Sequence, residues 1–390
     1  MQHAAPSTPT QADRKAFYSK NALKLGLFAS NCSSGINLTT VPERWSGNWE
    51  DNLQLARLSD RVGIEFFVPI GRWKGYGGVT DHQGAAFETI TWATGLLAGT
   101  QHLTVFGTVH VPLFHPLVAA KQIVTADHVS RGRFGLNIVA GWNEDEFQMF
   151  GVLQKDHEKR YALATEWIEV IRSAWERDDF DFAGEFFNLK GVRQKPKPYG
   201  GTRPVIMNAG QTPVGRSFAM RHSDVFFTAR HRKTDLGPLA SEVATVKAAA
   251  RELGRDMDVF TNVFVTCRPK RSDAEAYVRH CIDENADWEA LEKLLEGRRH
   301  MVQSEADLKK ARAELPRAAL GVAVIGDPDD VARGLADHAA AGLGGLAMTF
   351  INYGTELPYF SDEVLPRLER LGLRVPVERN ELSTEHLRWH

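Results

Sequence analysis

The chain has 390 residues, with 47 Lys and Arg against 49 Asp and Glu and a formal net charge of -2. That balance offers no basic surface for nucleic acid or an anionic membrane. Its three cysteines, Cys32, Cys267 and Cys281, are too few and too scattered for a disulfide framework or a zinc site. No apolar run approaches the ~20 residues that span a bilayer. The composition therefore reads as that of an ordinary soluble globular protein, for which a reducing cytosol is the simplest compartment and no metal site, nucleic-acid partner or membrane partner is expected.

In chain order, the polar segment 1–22 reads as a flexible N-terminal tail. Leu23–Ala29 then predicts a first strand, followed by a long loop rich in Gly, Ser, Asn and Trp. Trp49–Val62 carries Leu53, Leu55, Ala56, Leu58 and Val62 near helical spacing, and Gly63 stops it before the strand IEFFVPI. The alternation repeats: helix Phe87–Leu97, strand Leu103–His110, helix His115–Val129, strand Phe134–Val139, helix Tyr161–Trp175. A hairpin insertion near 180–200 interrupts it. The pattern resumes with strand Val205–Ala209, helix Val214–Arg221, strand Val225–Thr228, helix Leu239–Leu253, strand Val259–Cys267 and a helix after Asp273. A charged helical insertion near 283–318 separates these units from an eighth strand, Leu346–Phe350, and a closing helix, Tyr359–Leu371.

Eight β-α units favour a closed (β/α)8 TIM barrel over 23–375, with a C-terminal tail at 376–390, rather than an open doubly wound sheet. Chemistry in such a barrel gathers where strands end and βα loops begin. The polar stretches SNCSSG, GRWKGYGG, AGWNEDE, AGQT and ARHR all fall there. Trp142–Gln148 alone would pass for a solvated acidic loop; its place on that rim argues for a site.

Gly71–Gly78 has neither GxGxxG nor GxxxxGK[ST] spacing, which excludes a Rossmann or P-loop site. Its glycines suit close approach of backbone amides to a flat ring, with Arg72 and Lys74 balancing a negative charge. A phosphate site is better sought at Arg160 and Tyr161 together with Ala209–Thr212, where a helix N-terminus, the Thr212 hydroxyl and a guanidinium combine. A surface ion pair with Glu158 or Glu185 is the plainer reading of Arg160. His110, His115 and His231 are candidate acids or bases, and Cys32 alone among the thiols stands near the rim. No HExxH, CxxC cluster or GxSxG occurs.

NIVAGWNEDEFQMFG at Asn137–Gly151, the Arg160–Tyr161 pair, MNAGQT at Met207–Thr212, and Val324–Phe350 followed by VLPRL together resemble the bacterial luciferase-like superfamily of flavin monooxygenases. The resemblance runs from about Leu23 to Leu371. Within the superfamily, GRFGLNIVAGW at Gly132–Trp142 is most similar to the pyrimidine monooxygenase subgroup. The resemblance implies a (β/α)8 barrel using reduced FMN and O2, a separate NAD(P)H:flavin reductase supplying the FMNH2, and a homo-oligomer, dimer or tetramer.

By the same resemblance, Gly71, Arg72, Asn137 and Glu146 line the flavin and Arg160, Tyr161 and Thr212 hold its phosphate. Thr108 and Asn137 bound its oxygen-reactive face, where a hydroxyl and an amide orient dioxygen without supplying a strong acid. His110 joins Thr108 and Asn137 as a catalytic candidate. It also marks a departure, because the pyrimidine subgroup has small and aliphatic residues at the end of this strand. The expected reaction is oxidation and cleavage of a small cyclic substrate of pyrimidine or cyclic-amide type. Alternatives are oxidation of a sulfone, sulfonate or chlorinated ring, a noncatalytic flavin-binding protein of the same fold, and a deazaflavin-dependent oxidoreductase.

Overall fold

The computed structural model describes residues 8–228, 236–296, 309, 312, 314–317 and 319–376. Its strands are β1 Lys24–Phe28, β2 Phe66–Val68, β3 Thr104–His110, β4 Phe134–Val139, β5 Phe180–Ala183, β6 Asn188–Val192, β7 Val205–Asn208, β8 Val225–Thr228, β9 Asp258–Cys267, β10 Val322–Gly326 and β11 Gly345–Thr349. Eight of them close a parallel ring in the order β1, β2, β3, β4, β7, β8, β9, β11 and back to β1. Parallel strands need crossovers, and the helices between them supply the outer layer.

Alternate side chains along each strand face opposite ways, and two separate apolar clusters result. Val105 and Val109 of β3 face outward into the layer shared with the helices. Phe66, Phe106, Met207, Phe227 and Phe260 face inward and fill the barrel. On β3 the inward series continues from Phe106 through Thr108 to His110, so the lining turns from aromatic to polar towards the strand's C-terminal end.

The free tail expected over 1–22 is corrected for its described part. Thr10 and Asp13 form a capping box on the helix Gln11–Lys15, and the chain then enters the floor of the barrel. Phe17 is buried there, its ring 5.5 Å from Phe66, 6.0 Å from Phe106 and 5.5 Å from Phe260. Arg14 is anchored beside it by Asp127 at 2.6 Å, with both side chains fully buried. Of the C-terminal tail, 377–390 lies outside the described residues.

The β5–β6 hairpin is where expected. β10 was not expected. It pairs with Val263–Cys267 of β9, beyond the Asp258–Thr261 stretch occupied by β8. The closing helix also begins earlier, at Tyr353, because the Asn352 side chain caps Gly354 and Thr355; it ends at Glu363, and Leu365–Arg370 continues as a second helix. In the insertion, Asp287 accepts from the amides of Val79, Thr80 and Ala290, which docks the helix Trp288–Glu296 onto the loop after β2.

Candidate active site

Thr108 and Asn137 are register partners on β3 and β4. The Thr108 hydroxyl donates to the carbonyl of Pro69 at 2.8 Å and accepts from Asn137 Nδ2 at 3.1 Å. Asn137 is 8% exposed, and its Oδ1, shielded from water, has no hydrogen-bond partner. The expected pair is therefore present, with one correction: the Thr108 hydrogen is already committed to Pro69, so the hydroxyl has none left for an incoming oxygen.

His110 lies one step further along the same face of β3. A Cβ on Gly71 would come within 2.7 Å of His110 Cε1 and 3.1 Å of Thr108 Cγ2, so glycine at 71 is what lets the loop after β2 close against both. Burial pushes the His110 imidazole down to about 4; Glu146 opposes that shift and Arg72 adds to it. Near neutral pH it is an uncharged donor and acceptor rather than a cationic acid.

Glu146 and Arg72 form the roof. Trp142–Gln148 is not simply a loop: Glu144–Met149 is a short helix that turns the buried Glu146 inward. Its Oε1 accepts from Arg72 at 3.1 Å and from the Trp73 amide at 2.9 Å. The Arg72 guanidinium lies 4.9 Å from the Tyr76 ring and 5.4 Å from that of Trp142, and its Nε donates to Gln83. The charges of Arg72 and Lys74 are thus answered by this chain's own Glu146 and Asp145.

A second cluster lies where the helix Pro213–His222 begins. Thr212 caps it by accepting from the Gly215 amide, and Thr212 Oγ1 stands 3.2 Å from His157 Nε2. A Cβ on Gly210 or Gly215 would come within 2.6 Å of the Tyr161 hydroxyl. Two glycines thus make room for that hydroxyl beside the helix start, where Pro213 has no N–H and the Gly215 and Arg216 amides already donate to the Thr212 side chain and carbonyl. Burial pushes the phenol upward, so it stays protonated. Arg160 does not pair with Glu158 or Glu185. One guanidinium nitrogen donates to the Gly141 carbonyl, and its Nε is buried without a partner.

Sequence reasoning missed His157, Asn208 and Gln83. Asn208, inside MNAGQT, donates to the Ile138 carbonyl at 2.7 Å and accepts from the Gly210 amide, fixing the turn that presents Thr212. His157 stands three residues before Arg160 on the same helical face, a spacing that was open to inspection. His115 is exposed and caps its helix through Nδ1, a structural role rather than acid–base work. Cys32 is fully buried with its thiol pushed up to about 12, which removes it as a nucleophile. His231 and the rest of the ARHR stretch lie outside the described residues. Among the described residues, no three His, Cys, Asp or Glu are grouped to hold a metal, and no helix is long and apolar enough to cross a membrane.

The family model "Luciferase-like monooxygenase" matches residues 23–344. The chain belongs to the luciferase-like monooxygenase family. Its luciferase-like relatives include the FMNH2-dependent dimethylsulfone monooxygenase of Pseudomonas fluorescens (strain Pf0-1), 29% identical over 93% of this chain and 98% of that one. The pyrimidine monooxygenase RutA of Escherichia coli (strain K12) is 27% identical over 95% and 97%. The long-chain alkane monooxygenase LadA superposes with a TM-score of 0.80 at 18% identity, covering 91% of this chain and 93% of that one, a likeness of fold. The sulfone and pyrimidine enzymes match about equally, so the specific resemblance to the pyrimidine subgroup does not select a substrate.

Proposed function

We propose that this luciferase-like monooxygenase is a two-component enzyme that takes FMNH2 from a separate NAD(P)H:flavin reductase and uses O2 to oxidise and cleave a small cyclic substrate of pyrimidine or cyclic-amide type. The observation that carries the reading is the division of the site. A neutral polar layer of Thr108, Asn137 and His110 occupies the strand ends, and a separate cradle of Tyr161, Thr212 and Arg160 suits an anion. FMN fits that division, because the two glycines make the cradle and the unpartnered Arg160 Nε supplies a further donor.

Tyr161, Thr212, the Val214 amide and Arg160 would hold the phosphate, with His157 placing the Thr212 hydroxyl. Gly71, Arg72, Asn137 and Glu146 would line the ring. The bound flavin supplies the electrons that activate dioxygen. The protein's own work is positioning and water exclusion: Glu146 and Arg72 close the roof, Asn137 fixes an acceptor beside Thr108, and neutral His110 holds a polar group of the substrate.

A sulfone substrate is the second reading. It is favoured by the 29% identical sulfone enzyme and by His110, whose neutral N–H can donate to a sulfonyl oxygen. The test supplies reductase, NAD(P)H and FMN aerobically with uracil-type cyclic amides and small sulfones, and follows product by mass spectrometry. Substrate-dependent product carrying label from ¹⁸O2 is expected with the cyclic amides. Label only in sulfone products replaces the first reading by the second; no labelled product with either class removes both.

A further inference from the structure

The Pro69 carbonyl fixes which end of the Asn137 amide is bonded and which is left without a partner. A carbonyl only accepts, so the hydrogen of the Thr108 hydroxyl, 2.8 Å away, must point to Pro69. The Asn137 atom 3.1 Å from that hydroxyl oxygen must then be a donor, which makes it Nδ2. The two ends of an amide are usually told apart only by such a network, and here the network has a single solution. Oδ1 is left over, buried and unpartnered. An acceptor desolvated in this way is costly until a donor reaches it.

We propose that Asn137 Oδ1 is a fixed hydrogen-bond acceptor that selects the reduced, N–H-bearing form of the flavin over the oxidised form, with Thr108 as the positioning residue that stops the amide from turning round. The proposal rests on the reading that this pocket holds flavin. Reduction converts ring nitrogens of the isoalloxazine from acceptors into N–H donors. An acceptor opposite such a nitrogen is satisfied by the reduced ring and faces a lone pair in the oxidised one. Oxidised product is then released in favour of fresh reduced flavin, as a shared, diffusing cosubstrate requires. The device needs no charge.

The experiment is anaerobic equilibrium titration of the full chain with reduced FMN and, separately, with oxidised FMN, reading the ratio of the two affinities. Wild type should favour the reduced form. Asn137→Leu removes the acceptor and should lower the ratio about tenfold, equivalent to about 30 mV in the potential of the bound two-electron couple. Thr108→Val keeps the volume but frees the amide to present either end, and should lower the ratio in the same direction. Thr108→Ser retains the relay and should restore the wild-type ratio.

A merely structural role would weaken both forms alike and leave the ratio in place. Unchanged ratios in Asn137→Leu and Thr108→Val, with flavin still bound, overturn the proposal while sparing the flavin site. A Thr108→Val defect confined to substrate affinity also overturns it and assigns the acceptor to a substrate N–H. If wild type binds neither form, both readings fall.

Discussion

Arg72 and Glu146 meet at 3.1 Å and join the loops that follow β2 and β4, passing over the end of β3 that lies between them. Their side chains are 7% and 3% exposed, so each charge depends on the other for what water no longer supplies.

Glu146→Gln should therefore destabilise the protein by about 3 kcal/mol, the scale for leaving one buried partner uncompensated. Arg72→Met combined with Glu146→Leu should recover most of that loss, because it strands no charge. Urea unfolding of the single and double variants checks this. A single variant as stable as wild type would mean that the roof contributes little to the fold.

Arg160→Ala should cut the preference for FMN over riboflavin by roughly 10- to 100-fold, since a charge-assisted bond to phosphate is worth roughly 1.5–3 kcal/mol. Tyr161→Phe should act in the same direction and more weakly. Titrating both ligands against each variant gives the answer. Equal losses for FMN and riboflavin would take Arg160 out of the phosphate cradle and leave it holding only the Gly141 carbonyl.

Burial holds His82, His110 and His222 down to about 4, against an ordinary value of 6.5. A group with a depressed folded-state value contributes stability that is fully present above about pH 6.5 and is lost as pH falls towards 4, because the unfolded chain takes up the proton first. Melting temperature should thus drop between pH 6.5 and 4. His110→Gln should flatten that drop. Between pH 7 and 8, where His110 stays neutral, it should leave no titration step in the rate profile; a step there that disappears in His110→Gln would show that the imidazole ionises in the working enzyme.

Phe17→Ala should cost about 3–5 kcal/mol by opening a cavity among Phe66, Phe106 and Phe260. It should change flavin affinity little, because the floor lies at the opposite end of the strands from Thr108 and Asn137. Thermal unfolding beside an FMN titration separates the two effects, and a variant that melts like wild type would refute the packing role.

The eight ring strands were legible because each is a short apolar run bounded by turn residues, and the alternation with helices admits few topologies. The residues of the site were legible as a set, yet their bonds were not. Nothing in the string links Thr108 to the carbonyl of Pro69, an acceptor every residue carries. The floor was misread for a related reason. Arg14 and Phe17 sit in a polar stretch, and what makes burial of Arg14 tolerable is remote in sequence: the Asp127 carboxylate, the Thr202 hydroxyl and the Tyr199 carbonyl. β10 escaped notice because Val322–Gly326 is an apolar run lying outside the ring, where counting β-α units gives it no place.

Phe17 is synthesised well before Phe260, yet its seat is finished only when Phe260 has been made and β9 has closed against β8 and β11. The segment that carries Phe17 must wait for eight ring strands to be made before it has somewhere to go.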